Sequence, residues 1–194
     1  MKTGVWSGIV LLFVLIGVLG LMGREQPQHA APHPKWQEAK SFSHFRVGDR
    51  NVKAMMMDGD ILWVGTSGGV VRYDTAVDEY ELLDIRSGLL ANGIFYINRI
   101  AGRLAVGTYG GGLALLKPEG GWDIYNVPEG LADAFVYSVL ESPTGDIWIA
   151  TWSGANRVRG GALDDPSKWE TFDVKNTGGG LPNDWVYAVA QGKD

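Results

Sequence analysis

Three short stretches set a hydroxyl or aromatic side chain directly after a threonine: Thr66-Ser67, Thr108-Tyr109 and Thr151-Trp152. Others place carboxamides and carboxylates just ahead of an apolar run: Asn92 before Ile94, Asp133 before Val136, and Asn183 with Asp184 before Val186. Aromatic rings beside such groups suit sugar binding. The rings stack on pyranose faces while the amide and acid oxygens accept hydroxyl protons. Tyr109, Trp152, Ser67, Asn92, Asp133, Asn183 and Asp184 therefore form the candidate ligand-binding face. The competing reading is structural, with Asn and Asp shaping turns and the two aromatics packing between sheets.

Other chemistry finds less support. The chain has no cysteine, which excludes disulfides, thiolate metal sites and cysteine nucleophiles. Its three histidines, His29, His33 and His44, all lie near the N-terminus, so a Ser-His-Asp set is not plausible. His29 and His33 are four apart, but Pro27, Pro32 and Pro34 keep them off a common helix face. Asp164-Asp165-Pro166 offers oxygen ligands for calcium, yet reads more simply as a solvated turn. No spacing singles out a pair of catalytic carboxylates. The Gly-rich loops lack the Gly-Lys-Ser/Thr of a phosphate loop. Arg72, Arg157 and Arg159 read as surface residues whose stems cover sheet. The expectation is no catalytic residue, no metal and no cofactor. A net charge of -5 without a basic cluster argues against nucleic acid.

The elements that carry these residues repeat. Residues 61–74, 104–115 and 147–158 are copies of one segment, and Thr66, Thr108 and Thr151 lie 42 and 43 residues apart. That period is the length of a four-stranded propeller blade. Each unit opens with an alternating strand in which Tyr96, Tyr137 and Tyr187 align, with Lys53 at that place in the first unit. A Gly-containing hairpin follows, then the Trp-Val-Gly-Thr strand, a Gly-rich loop, a third strand and a more polar fourth. Such falling hydrophobicity is expected when inner strands are sandwiched by neighbouring blades and the outer one meets water. The strand-two glycine lets adjacent sheets approach. Trp63 and Trp148 are expected to fill the space between blades, and the second unit, with Ala105 there, to compensate with another large side chain. The twenty-eight glycines and 45% apolar content fit an all-β chain with a core.

These units resemble the two-component-regulator propeller repeat, which runs as valine, an Asp-Gly hairpin, Leu-Trp-Ile-Gly-Thr, two variable residues, Gly-Leu and an aromatic-Asp pair. Val52 to Asp74 matches almost throughout. The second unit lacks the tryptophan and has an extra glycine; the third has Ala150 for glycine and ends Asn156-Arg157-Val158-Arg159. The resemblance covers residues 50–190. It implies an all-β propeller with blades at 50–87, 92–128 and 133–178 and the start of another at 183–194. It also implies an extracytoplasmic sensor-type module, for which sugars from polysaccharide breakdown are typical signals. Two alternatives stay open: a scaffold propeller that binds a protein partner, and, more remotely, a propeller enzyme resembling polysaccharide lyases.

Residues 4–23 are uncharged and largely apolar, long enough as a helix to span roughly 30 Å of bilayer core. That length favours an uncleaved anchor at 1–24 over a cleaved signal peptide, whose apolar region is shorter. Residues 25–40 read as a polar, Pro-containing tether. The expected location is the cytoplasmic membrane, single-pass with the propeller outside, or secretion after cleavage. Residues 41–45 look like an unattached outer strand. A closed propeller needs more blades than three, so the sequence reads as part of a longer protein, with further blades or a signalling domain beyond it.

Overall fold

The computed structural model describes Val47 and residues 51–192. The expected anchor, the tether and the strand at 41–45 lie outside the described residues. Within them, twelve strands form three four-stranded antiparallel sheets, each in plain sequence order. The first holds β1 (Val52–Asp58), β2 (Ile61–Thr66), β3 (Gly69–Asp74) and β4 (Glu79–Leu83). The second holds β5 (Ile94–Ile100), β6 (Arg103–Thr108), β7 (Leu113–Leu116) and β8 (Trp122–Tyr125). The third holds β9 (Val136–Glu141), β10 (Ile147–Thr151), β11 (Gly154–Val158) and β12 (Trp169–Phe172).

The repeated threonine has a local cause. Thr66, Thr108 and Thr151 are buried at the end of the second strand of each blade. Each hydroxyl donates across the hairpin, to Gly69 O (2.9 Å), Gly112 O (2.8 Å) and Gly154 O (2.7 Å). Each also accepts a loop amide, from Gly68, Gly111 and Ser153 respectively. One buried hydroxyl thus bonds two backbone groups and ties the two sides of the tight loop together. The glycine that follows is equally constrained. Gly112 has φ +77°, and a Cβ there would lie 2.3 Å from Tyr125 O.

The repeated Gly-Leu pair also has a cause. After β4, Asp84 accepts from Arg86 N and caps a 3-10 turn at Ile85–Ser87, which Gly88 ends with φ +99°. After β8, Asn126 caps the turn at Val127–Glu129 in a capping box, and Gly130 ends it. Leu89 and Leu131 then drop into the core.

Blades stack face to face. Trp63, Val70, Ile94, Ile97, Leu104 and Val106 share the core between the first two. Ala105, Leu113, Leu115, Val136, Val139 and Ile147 share the second. The strand-two glycine sits where the sheets come closest. A Cβ on Gly65 would meet Ile94 Cγ2 at 2.6 Å, and one on Gly107 would meet Val136 O at 2.8 Å. At the opposite end of the blades, Arg99 pairs with Asp58 and the Ala101 amide donates to Glu141 Oε2 (2.7 Å), tying each turn to the preceding or following blade.

Trp63 fills its interface as expected. The large residue that accompanies Ala105 is Tyr96, which packs on the core cluster containing that alanine. In the strand register Trp63 faces Met56, Ala105 faces Asn98 and Trp148 faces Leu140, while Tyr96 faces the strand-two glycine Gly107. Trp148 itself lies on the far face of the third blade, stacked on Phe172 (5.6 Å) beneath the Arg157 guanidinium. That face opens on a cleft of about 880 Å³ that residues 186 and 188–192 also line.

Candidate ligand-binding face

Strand order alone puts the β2–β3, β6–β7 and β10–β11 loops at the same end as the segments entering β1, β5 and β9. Backbone bonds tie the two sets together: Ser67 N donates to Asn51 O (3.2 Å), Tyr109 N to Gly93 O (2.8 Å) and Trp152 N to Phe135 O (3.3 Å). The chain entering the next unit joins them, with Val186 N donating to Thr151 O (3.0 Å).

Each first strand is bulged near its start. The register slips between Val52 and Ala54, between Ile94 and Tyr96, and opposite Ala150–Thr151, where Val136 and Ser138 are paired and Tyr137 is skipped. A bulge turns the extra residue out of the alternating pattern. The extra residues are Lys53, Phe95 and Tyr137. This corrects the sequence alignment by one residue in the second blade: Phe95, not Tyr96, is the counterpart of Tyr137, and Tyr96 points into the core. There, burial pushes the Tyr96 phenol up to about 12.

The bulged side chains touch from blade to blade. Lys53 Nζ lies 5.5 Å from the Phe95 ring centroid, Phe95 lies 5.2 Å from Tyr137, and Tyr137 stacks on Tyr187 of the next unit at 5.2 Å. A second row flanks them. Tyr109 meets Phe135 edge-on at 4.5 Å, and Trp152 stacks on Trp185 at 4.5 Å. Seven rings form one connected cluster. Tyr109, Trp152, Trp185 and Tyr187 are 55, 47, 47 and 63% exposed, so the cluster is a surface rather than a core. Tyr137 is buried beneath it, and burial, followed by Tyr109, Asp133 and Tyr187, raises its phenol pKa.

The predicted site residues divide. Tyr109 and Trp152 lie in the exposed cluster. The four Asn and Asp candidates each serve the backbone with one side-chain oxygen. Asp133 Oδ1 accepts from Phe135 N and Asn183 Oδ1 from Trp185 N, the same turn in successive units. Asn92 accepts from Ile85 N and Asp184 from Val174 N, holding the turn after the preceding sheet. Asp133 Oδ2 accepts from the Ser153 hydroxyl (2.7 Å). Ser67 is half-buried at the first blade's loop. Phe95, Phe135, Trp185, Tyr187 and Lys53 were missed in the sequence reading. Lys53 and Tyr187 were aligned with Tyr137 by the repeat without being counted as site residues, and the bulge register puts Phe95 at that same place.

Elsewhere, Asp164 Oδ1 accepts from the Tyr125 hydroxyl, which burial and this bond push up to about 12. Asp165 caps the turn at Pro166–Lys168. Both aspartates of the calcium candidate thus have structural partners. Among the described residues no cluster of three or more His, Cys, Asp or Glu is placed to hold a metal, and no helix is long and apolar enough to cross a membrane.

Residues 130–153 match the family described as Two component regulator propeller. That stretch runs from the Gly130 cap through the Tyr137 bulge to the loop holding Trp152. Among solved structures, the chain is similar to the extracellular domain of the hybrid two-component system BT3049 of B. thetaiotaomicron: 28% identity and TM-score 0.63 over 74% of this chain and 19% of that one. It is similar also to that of BT4673 from the same organism, at 28% identity and TM-score 0.51 over 58% of this chain and 16% of that one. The chain thus spans less than a fifth of either relative. A streptogramin B lyase structure shares the fold, at 16% identity and TM-score 0.51 over 72% of this chain and 43% of that one. No curated protein matches the chain.

Proposed function

We propose that this chain, built from the repeat of the two-component-regulator propeller family, is a non-catalytic, extracytoplasmic ligand-binding module whose ligand is a saccharide. The observation that carries the reading is the exposed ring cluster spanning two blades and the start of a third unit. Exposed aromatic surface is unfavourable unless something covers it. Here the rings are held by mutual contacts, so little side-chain freedom is lost on binding. Their faces suit the C–H faces of pyranoses, and Asp133 and Ser153 lie beside them for hydroxyls. The uncharged apolar run at residues 4–23 and the likeness to extracellular domains support placing the module outside the cytoplasmic membrane and tethered to it. The non-catalytic reading is supported by the carboxylates of this face, Asp133 and Asp184, each of which holds a backbone amide.

Binding of the full chain to a glycan array, repeated with Trp152→Ala, tests the reading. The expected result is binding to a restricted set of oligosaccharides, weakened about tenfold or more by the substitution, as loss of one stacking platform of roughly 1–3 kcal/mol implies. Binding that is indifferent to Trp152 contradicts it.

A further inference from the structure

We propose that the saccharide is acidic and that its carboxylate or sulfate is received by Lys53; this rests on the saccharide reading above. The bulge position of the three blades carries Lys53, Phe95 and Tyr137, and Tyr187 holds the matching place in the sequence of the next unit. One row therefore holds a cation followed by three aromatic rings, in contact steps of 5.5, 5.2 and 5.2 Å. The same gradient runs through the flanking loop, from Ser67 in the first blade to Trp152 in the third. The surface is polar and cationic at one end and aromatic at the other.

Lys53 is exposed, and among the described residues it takes part in no salt bridge. Its contact with the Phe95 ring holds the ammonium over the row rather than out in water, and a face-on cation–π contact leaves the outer N–H groups free to donate. The acidic groups of this face, Asp133 and Asp184, belong to the aromatic end. An anion on the ligand is repelled there and attracted at Lys53. The charge pattern therefore selects an acidic group and also fixes which way the oligosaccharide lies.

The test is titration of the full 194-residue chain, wild type and Lys53→Met, with paired uronate trimers and their methyl esters prepared from galacturonan, glucuronan and alginate. Sulfated galactan oligomers form a separate arm. Esterification removes the charge and keeps the ring. The expected result is acid bound about two- to fivefold tighter than ester, the range of an exposed ion pair. That preference disappears in Lys53→Met and in molar salt, where the screening length falls to about 3 Å. A Lys53-dependent preference shown only by the sulfated oligomers supports the proposal and names sulfate as the acid group. Acid and ester bound equally by the wild type overturn it while leaving the saccharide reading intact. No binding by any trimer, charged or esterified, or by the sulfated oligomers overturns both.

Discussion

Asp146 is a buried carboxylate at the β9–β10 turn with every oxygen employed. Oδ1 accepts from Gly160 N (2.7 Å), and Oδ2 accepts from the Arg157 guanidinium (2.9 and 2.6 Å). The Gly160 amide first, and Arg157 next, hold its pKa below the usual carboxylate value. A depressed folded-state pKa adds stability above the unfolded value of about 3.9 and loses it as pH falls through the folded value. Urea midpoints measured from pH 6 down to pH 3 should therefore fall less steeply in Asp146→Asn than in the wild type. Equal slopes would remove Asp146 from the acid sensitivity of the fold. Asn92, Asp133, Asn183 and Asp184 show what sequence reveals at this scale. Their side chains were recognised as both turn formers and ligand candidates. The geometry assigns each a backbone amide to hold, a role a residue type suggests but a partner decides.

Between elements, the controlling quantity is how closely one sheet approaches the next. Gly107 is the tightest point of the second interface, with Val136 O, Val136 Cγ1 and Tyr96 Cβ at 2.8, 2.9 and 3.0 Å from a would-be Cβ. Two of those neighbours are backbone or Cβ atoms that cannot swing aside. Gly107→Ala is expected to cost about 1–3 kcal/mol, the range for overpacking, read as a lower denaturation midpoint. A neutral outcome would mean that the blades separate more readily than their packing implies. The period, the strand order and the purpose of this glycine were legible, because each follows from one residue type recurring at one spacing. The bulge was not. It shifts pairing by a single residue, and the adjacent aromatics Phe95 and Tyr96 both fit an alternating strand. Sequence alignment chose the tyrosine by chemical likeness, while hydrogen-bond register chose the phenylalanine.

Across the whole described molecule, three sheets too small to bury their own faces cover one another in sequence, and one row of bulged residues crosses them all. The three-blade stack was readable from the repeat. The ring cluster was half readable: Tyr109 and Trp152 stand at marked loops, whereas Phe95, Phe135, Trp185 and Tyr187 become neighbours only when the blades are stacked. The most direct measurement is the set of tryptophan indole N–H resonances during titration with a saccharide that binds. Trp152 and Trp185 lie at the exposed cluster, while Trp63 and Trp122 are buried between the first two blades and Trp169 Nε1 is bonded to Leu163 O. Binding should shift the Trp152 and Trp185 signals and leave those of Trp63, Trp122 and Trp169 in place. Saturation that moves the buried indoles, or leaves Trp152 and Trp185 unmoved, would contradict the aromatic face as the binding surface.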